Sequence, residues 1–318
     1  MFLESFRVTA SGVGQSFILG AIGFFLIKCN LLGKEGLGGL SRLVMEVTLP
    51  LLIFCRLVAN FSFSSFPDWW IYPVVSLLVT SLGLLVGLVL SGFLKGTLEK
   101  TQFVSLVTFQ NSGFLPLVLI ASVLPAAKAD TMFIYLFLFL VAFNLVMFSV
   151  GVYFLTFSKG KKFDWWSLLN PPVVSTFIGL AAAAFGLNRF IPETVIKPLQ
   201  MTGDCTLPLA TFIVGGNLAA IHLGKLHLKP VILMAAAKLI ILPLIGLILV
   251  CRFHPPGLLG LLVIMQLAMP PATNLSVLIT QYKRQDVLVS EGIFYCHVLS
   301  IITIPVFLSL YFMMGMLQ

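Results

Sequence analysis

The chain alternates long apolar stretches with brief polar punctuation. Apolar runs of about 20 residues are long enough to cross a bilayer as helices. They recur near residues 9–29, 37–59, 70–94, 102–124, 131–157, 167–187, 195–221, 229–251, 258–280 and 287–314, which predicts ten spans. The connectors are short, and the largest polar one is SKGKKFD, Ser158 to Asp164. Two runs are interrupted near mid-depth. The fourth reads TFQNSGFLPLVL, Thr108 to Leu119, and the ninth reads MQLAMPPATN, Met265 to Asn274. Proline removes a backbone donor and clashes with the preceding turn. Lipid offers no water to the carbonyls so freed. The pattern therefore predicts broken helices where unbroken ones would be cheaper.

Composition agrees with a membrane protein. Hydrophobic residues make up 59% of the chain and charged residues 9%, with a mean hydropathy of +1.09. A water-exposed surface cannot be built from so few polar side chains. The first run is followed by Lys28, Cys29 and Asn30 rather than a small-residue cleavage site, so it reads as a retained span. The five cysteines are scattered, without ligand spacing, so neither a disulfide framework nor a metal is expected. The net charge of +8 is explained by loop lysines and implies no nucleic acid. Six basic loop residues fall on the side that holds Arg7, Arg56 and Arg252, and twelve on the side that holds Lys34, Lys100 and Lys161. The richer side is expected to be cytoplasmic, with both termini outside the cytoplasm of a multi-pass cell-membrane protein.

A repeat runs through the chain. EVTLPLLIF (Glu46 to Phe54) and DCTLPLATF (Asp204 to Phe212) share the pattern acid-x-Thr-Leu-Pro-Leu-x-x-Phe, 158 positions apart. Asn30 and Asn188 keep the same offset, and YPVV at Tyr72 and KPVI at Lys229 nearly so. Two halves follow, 1–157 and 158–318, each of five spans. An odd count forces the second half to enter from the opposite side. Such inverted repeats mark secondary transporters, whose sites lie between matching discontinuous helices near the midplane. The fold class expected is thus an all-α polytopic membrane protein of two inverted five-helix repeats, with broken helices four and nine crossing.

A mid-membrane break exposes helix N–H groups and their dipole, a ready anion site. In the fourth span Gln110, Asn111, Ser112, Gly113 and Pro116 are the candidates, with Ser112 or Gly113 as cap. In the ninth they are Gln266, Pro270, Pro271, Thr273 and Asn274, with Pro270 or Pro271 suited to open the second half-helix. Lys238 sits about ten residues into the eighth span, where charge is costly and functional by default. It can attract an anion or stand in for a coupling cation. Glu46 and Asp204, at matching positions, are proton carriers or structural ion pairs. His297 is a third coupling candidate. Asn144 and Gln266 read as polar contacts between helices. HExxH, GxSxG and paired intramembrane aspartates are absent, so no enzyme is expected.

The segments LSRLVMEVTLPLLIF, QNSGFLPL, LNPPVVSTFIGL, LPLATFIVGGNLA, AAAKLIILPLIGL and MPPATN follow one another through almost the whole chain. Together they resemble the auxin efflux carrier family, the PIN-like membrane transporters. The resemblance implies a fold like that of bile acid symporters and sodium/proton antiporters. Spans 1, 2, 6 and 7 would form a scaffold, and spans 3–5 and 8–10 a mobile transport core. It implies transport of organic anions, auxin-like or dicarboxylates such as malate and malonate. It also places Asn111, Pro116, Pro270 and Pro271 at the crossover. The plant carriers have a long loop between spans five and six; here SKGKKFD stands in its place, as in a bacterial-type member. The reading is an elevator-type carrier of small organic anions, driven by membrane potential or by protons, with lipid as its surroundings and a homodimer as the assembly considered. A ligand-binding sensor without transport is the alternative.

Overall fold

A computed structural model describes residues 2–151, 169–221, 227–273, 275 and 287–315. All named elements among them are helical. The first is α1, Phe2–Lys28. Next, α2 (Lys34–Leu43) runs through a wide π-turn, Val44–Thr48, into α3 (Leu49–Asn60). Then come α4 (Ile71–Ser91), α5 (Thr97–Thr108), α6 (Phe114–Val123) and α7 (Ala126–Val146). In the second half lie α8 (Pro171–Ala184), α9 (Glu193–Asp204) and α10 (Thr206–Ala220). There α11 (Leu228–Ala236) runs through a second wide turn, Ala237–Ile241, into α12 (Leu242–Phe253). The last two are α13 (Gly257–Ala268) and α14 (Val287–Met313).

Among the described residues, six helical stretches are long and apolar enough to cross a membrane: Leu3–Lys28, Lys34–Asn60, Ile71–Ser91, Ala126–Ser149, Leu228–Phe253 and Leu288–Met313. The other four predicted spans are shorter pieces. The fourth is divided into α5 and α6, and the seventh into α9 and α10 at Cys205. The sixth is represented by α8 alone, and the ninth by α13 and the residues after it. The loop Ser158 to Asp164 lies outside the described residues.

Local chemistry explains several of these ends. Asn170 caps α8 by accepting the Val173 N–H at 3.1 Å, and Pro171 and Pro172 follow in the first turn, where a missing donor costs nothing. Both of these wide turns end two residues before a proline, Pro50 in α3 and Pro243 in α12. A wider turn relieves the clash of the proline ring with the preceding carbonyls without ending the helix.

By span the helices fall into two sets, and packing runs both within and between them. In the first, α1 runs along α10 and α3 runs along α8 and α9. Glycine permits the closest approach: a Cβ on Gly215 of α10 would overlap the Gly20 carbonyl oxygen of α1. Thr206 Oγ1 donates to Thr48 Oγ1 at 2.9 Å where the two repeat motifs meet, both fully buried. In the second group, α4 packs on α5 and α7, and α11, α12 and α13 pack around α14. The groups touch where α1 meets α14 and α6 and where α3 meets α7. There the Arg56 guanidinium of α3 bonds Asp130 of α7 and, at 3.3 Å, Asp204 at the end of α9, and lies over the Phe133 ring.

Candidate functional site

Between α5 and α6 the chain runs extended, and so does the chain after α13. The two extended pieces cross antiparallel, with Gln110 opposite Pro271. Asn111 N–H donates to the Pro270 carbonyl at 2.8 Å and Ala272 N–H to the Phe109 carbonyl at 3.0 Å. Adjacent prolines fit here for a simple reason. The two donors are Asn111 and Ala272, so neither proline is asked for an N–H, as in a non-hydrogen-bonded antiparallel pair. This corrects the expectation that Pro270 or Pro271 opens the second half-helix. They hold the extended crossing, and Leu275, described beyond them, donates its N–H back to Ala272 at 3.2 Å.

After the crossing, Ser112 N–H turns back to the Gln110 carbonyl at 2.8 Å, and Gly113 caps α6 with no side-chain bond. The first turn of α6 then presents the N–H groups of Phe114 and Leu115 without intrahelical acceptors, while Pro116 in the same turn has none to present. A small, partly open pocket lies beside this end. Its polar side is Gln110, Asn111, Ser112, Gly113, Thr273 and Asn144 of α7. Its apolar side includes Met45 and Leu49 of the first group and Phe114, Leu140 and Phe143 of the second. The pocket thus lies on the seam between the groups.

The polar side is not self-satisfied. Gln110 Nε2 and Ser112 Oγ are buried without a hydrogen-bond partner among the described residues. Behind them Gln266 of α13 donates Nε2–H to the Ser112 carbonyl at 3.1 Å, and its Oε1 is left without a donor. His297 of α14 is fully buried. Its Nδ1 faces the Ile293 carbonyl at 2.8 Å and must carry the proton, because a carbonyl only accepts. In the neutral ring Nε2 is then an acceptor, and the Asn111 amide reaches it at 3.5 Å. His297 therefore orients Asn111 from behind.

The remaining candidates sit apart. Lys238 lies in the second wide turn, 1% exposed, and among the described residues its ammonium has no hydrogen-bond or ion-pair partner. It does not line the pocket, and its charge is felt at Cys296 of α14. Glu46 is not interior: it is about half exposed and pairs with Arg42 one turn earlier at 2.8 Å. Asp204 pairs with Arg56. Asn274 lies outside the described residues. Sequence reading missed Glu291, 1% exposed in α14, whose Oε2 accepts the His227 backbone N–H at 3.0 Å and its Nδ1–H at 3.1 Å. The signal was present, as an acid inside an apolar run.

Comparison with known proteins places the chain in a family. A model of the membrane transport protein family matches residues 13–167 and 160–308. The chain belongs to this family, the auxin efflux carriers. With its six long apolar helices it is an integral, multi-pass membrane protein. PIN-LIKES 5 of Arabidopsis thaliana is 22% identical over 88% of this chain and 91% of that protein. PIN-LIKES 3 from the same plant is 21% identical over 87% and 89%. PIN-LIKES 4 is 28% identical, but over 38% of this chain and 30% of its own length, so that likeness spans less than a third of the relative.

Proposed function

We propose that the protein carries small organic anions across the membrane, binding them in the pocket beside the crossing and moving the second helix group against the first. One observation carries the reading. The uncapped start of α6 and the partnerless Gln110 Nε2 and Ser112 Oγ line one pocket between the two groups. Helix N–H groups, an amide N–H and a hydroxyl are donors that suit a carboxylate. A pocket on the seam can open to either side as one group slides.

The inverted repeat supports the same movement. Thr48 and Thr206, bonded to each other, are 158 positions apart. Leu57 against Gly179 and Gly215 against Gly20 are nearly the same contact after that shift. A pair of matched halves gives two nearly equivalent packings, one open to each side, which is the basis of alternating access. The first group then acts as the scaffold and the second as the moving core, in a cell membrane with both termini outside the cytoplasm.

The lining favours a monocarboxylate with an apolar body over a dicarboxylate. Among the described residues, the polar lining lies around the crossing and Asn144, and no lysine or arginine lines the pocket to meet a second carboxylate. Lys238, away from the pocket, serves as a fixed internal cation in the moving core rather than a ligand. The test is uptake of radiolabelled benzoate and succinate at neutral pH into proteoliposomes, with protein-free vesicles subtracted. Benzoate is expected to enter faster, and Gln110→Leu with Ser112→Ala to cut its uptake roughly tenfold, the factor that 1.4 kcal/mol of lost hydrogen bonding gives. Preferential succinate uptake would overturn the apolar-body reading. Flux of neither, nor of any other organic anion, above the protein-free level would overturn the carrier reading.

A further inference from the structure

Glu291 is the buried group that the crossing does not use. It lies in the first turns of α14 at 1% exposure, and it is packed closely: Gly292 beside it leaves room for Met234 of α11, where a Cβ would overlap the sulfur, and Leu106 of α5 lies 3.2 Å from the same point. One carboxylate oxygen, Oε2, takes both the backbone N–H and the ring Nδ1–H of His227. The other, Oε1, is buried with no hydrogen bond among the described residues. A buried carboxylate with one oxygen unserved leaves charge uncompensated in apolar surroundings. Among the described residues no group of three or more His, Cys, Asp or Glu side chains gathers around it. A buried carboxylate with a free oxygen and a histidine on the other is a place for a proton. His227 completes the path, because its side chain is half exposed at the start of α11 while its Nδ1 touches the carboxylate.

We propose that Glu291 is the proton-binding site that couples this carrier to a pH gradient, loaded from water through His227. The inference rests on the carrier reading above and adds its driving ion. The step is balanced. An imidazolium holding N–H at both nitrogens passes its Nδ1 proton to Glu291 Oε2. The carboxylate becomes a neutral acid whose O–H donates back to Nδ1, and the ring stays neutral with its Nε2–H. Loading thus brings one proton from water onto the pair and cancels the single negative charge of Glu291, and reversal of the transfer releases that proton to water on whichever side the core then faces. A neutral Glu291 lets the core move without a buried net charge, while an unprotonated one holds it by its tie to His227.

Among the described residues, the other charges near α14 are placed where they do not replace His227. From the second wide turn, Lys238 acts on Cys296, five residues further along α14. In α5, Glu99 and Lys100 sit half-buried in the first turn, and in α11 Lys229 is exposed. The helix α13 carries no ionisable side chain, and α1 meets α14 at Thr9 and Ser309, 18 residues along from Glu291.

Two measurements on the full chain in lipid test the proposal. Infrared difference spectra between acid and neutral pH are expected to show a protonated carboxyl band that Glu291→Gln loses and Glu291→Asp retains. In proteoliposomes, Glu291→Gln is expected to lose the stimulation of benzoate uptake by an inward proton gradient while keeping benzoate exchange without a gradient. His227→Asn should slow gradient-driven uptake and leave exchange alone. A wild-type band in Glu291→Gln, or wild-type gradient stimulation, would overturn the assignment. If Glu291→Gln does not fold, Glu291→Asp decides: a band unchanged in position means the titrating carboxyl lies elsewhere. Absence of benzoate flux in the unaltered protein would count against the carrier reading, and the infrared band would still judge Glu291.

Discussion

The helices α3 and α10 begin with the same motif and end in different company. Both open on Thr-Leu-Pro-Leu, and their threonines bond to each other at 2.9 Å. Nine residues on from each threonine, α3 carries Leu57 against Gly179 of α8, while α10 carries Gly215 against the backbone of Gly20 in α1. Two residues before each threonine, Glu46 pairs with a neighbour one turn away on its own helix, and Asp204 joins Arg56 on another. The repeat thus fixes where contacts fall, and each copy chooses how a contact is made. Side-chain packing closes one crossing and backbone packing closes the other.

That difference can be broken most forcefully at the glycines. A Cβ on Gly215 meets a carbonyl oxygen, which cannot rotate away, so Gly215→Ala must push two backbones apart. Overpacking of this kind costs about 1–3 kcal/mol. A Cβ on Gly179 meets Leu57 Cβ and Cδ1 at 2.9 Å; Cδ1 can rotate away, and the contact with Cβ asks for a far smaller backbone shift than the one at Gly215. Gly179→Ala is therefore expected at the low end, about 1 kcal/mol. Thermal unfolding in detergent should rank Gly215→Ala as clearly the more damaging. Equal shifts would mean that the two crossings are closed in the same way.

The shared threonine bond predicts symmetry instead. Thr48→Val and Thr206→Val each remove one partner from a buried pair. Interhelical hydrogen bonds in membranes average about 0.6 kcal/mol and reach about 1.7. Each single change should lose a similar amount within that range, and the double change should lose less than their sum. A double-mutant cycle by unfolding in mixed micelles measures the coupling directly. Strictly additive losses would show that the bond holds nothing together.

Much of this was legible before the fold was known, and the exceptions have physical causes. The all-helical class follows from hydropathy. The interruption read at Gln110 to Gly113 coincides with the gap between α5 and α6, because glycine, proline and polar side chains at mid-depth disfavour a helix locally. The role of Pro270 and Pro271 was misassigned, because a proline suits both a first helical turn and an extended strand lacking an acceptor opposite its nitrogen. Only the partner chain, 161 positions away at Gln110, decides between them. Arg56 with Asp130 and Gln266 with Ser112 were illegible for the same reason: such pairs depend on tertiary placement across 74 and 154 positions. Glu291 was overlooked because it stands four residues inside its span, where acids read as flanking residues.

The smallest effects test the acids of the motif. Glu46 and Arg42 are both well exposed in the chain, and an i,i+4 pair of that kind contributes about 0.3–0.5 kcal/mol. Asp204 is less exposed, but Arg56 keeps Asp130 when Asp204 is neutralised, so Asp204→Asn forfeits only part of a network, below about 1 kcal/mol. The order expected is Asp204→Asn above Glu46→Gln, both small. Added salt should erase the Glu46 effect first, since exposed pairs are screened most. Arg56→Ala sharpens the point, because it alone leaves Asp130 and Asp204 without their shared cation and frees α7 from α3. If Glu46→Gln proved the costlier change, the acid would serve one purpose in both copies. Its position in the repeat, rather than its local pairing, would then be what the motif preserves.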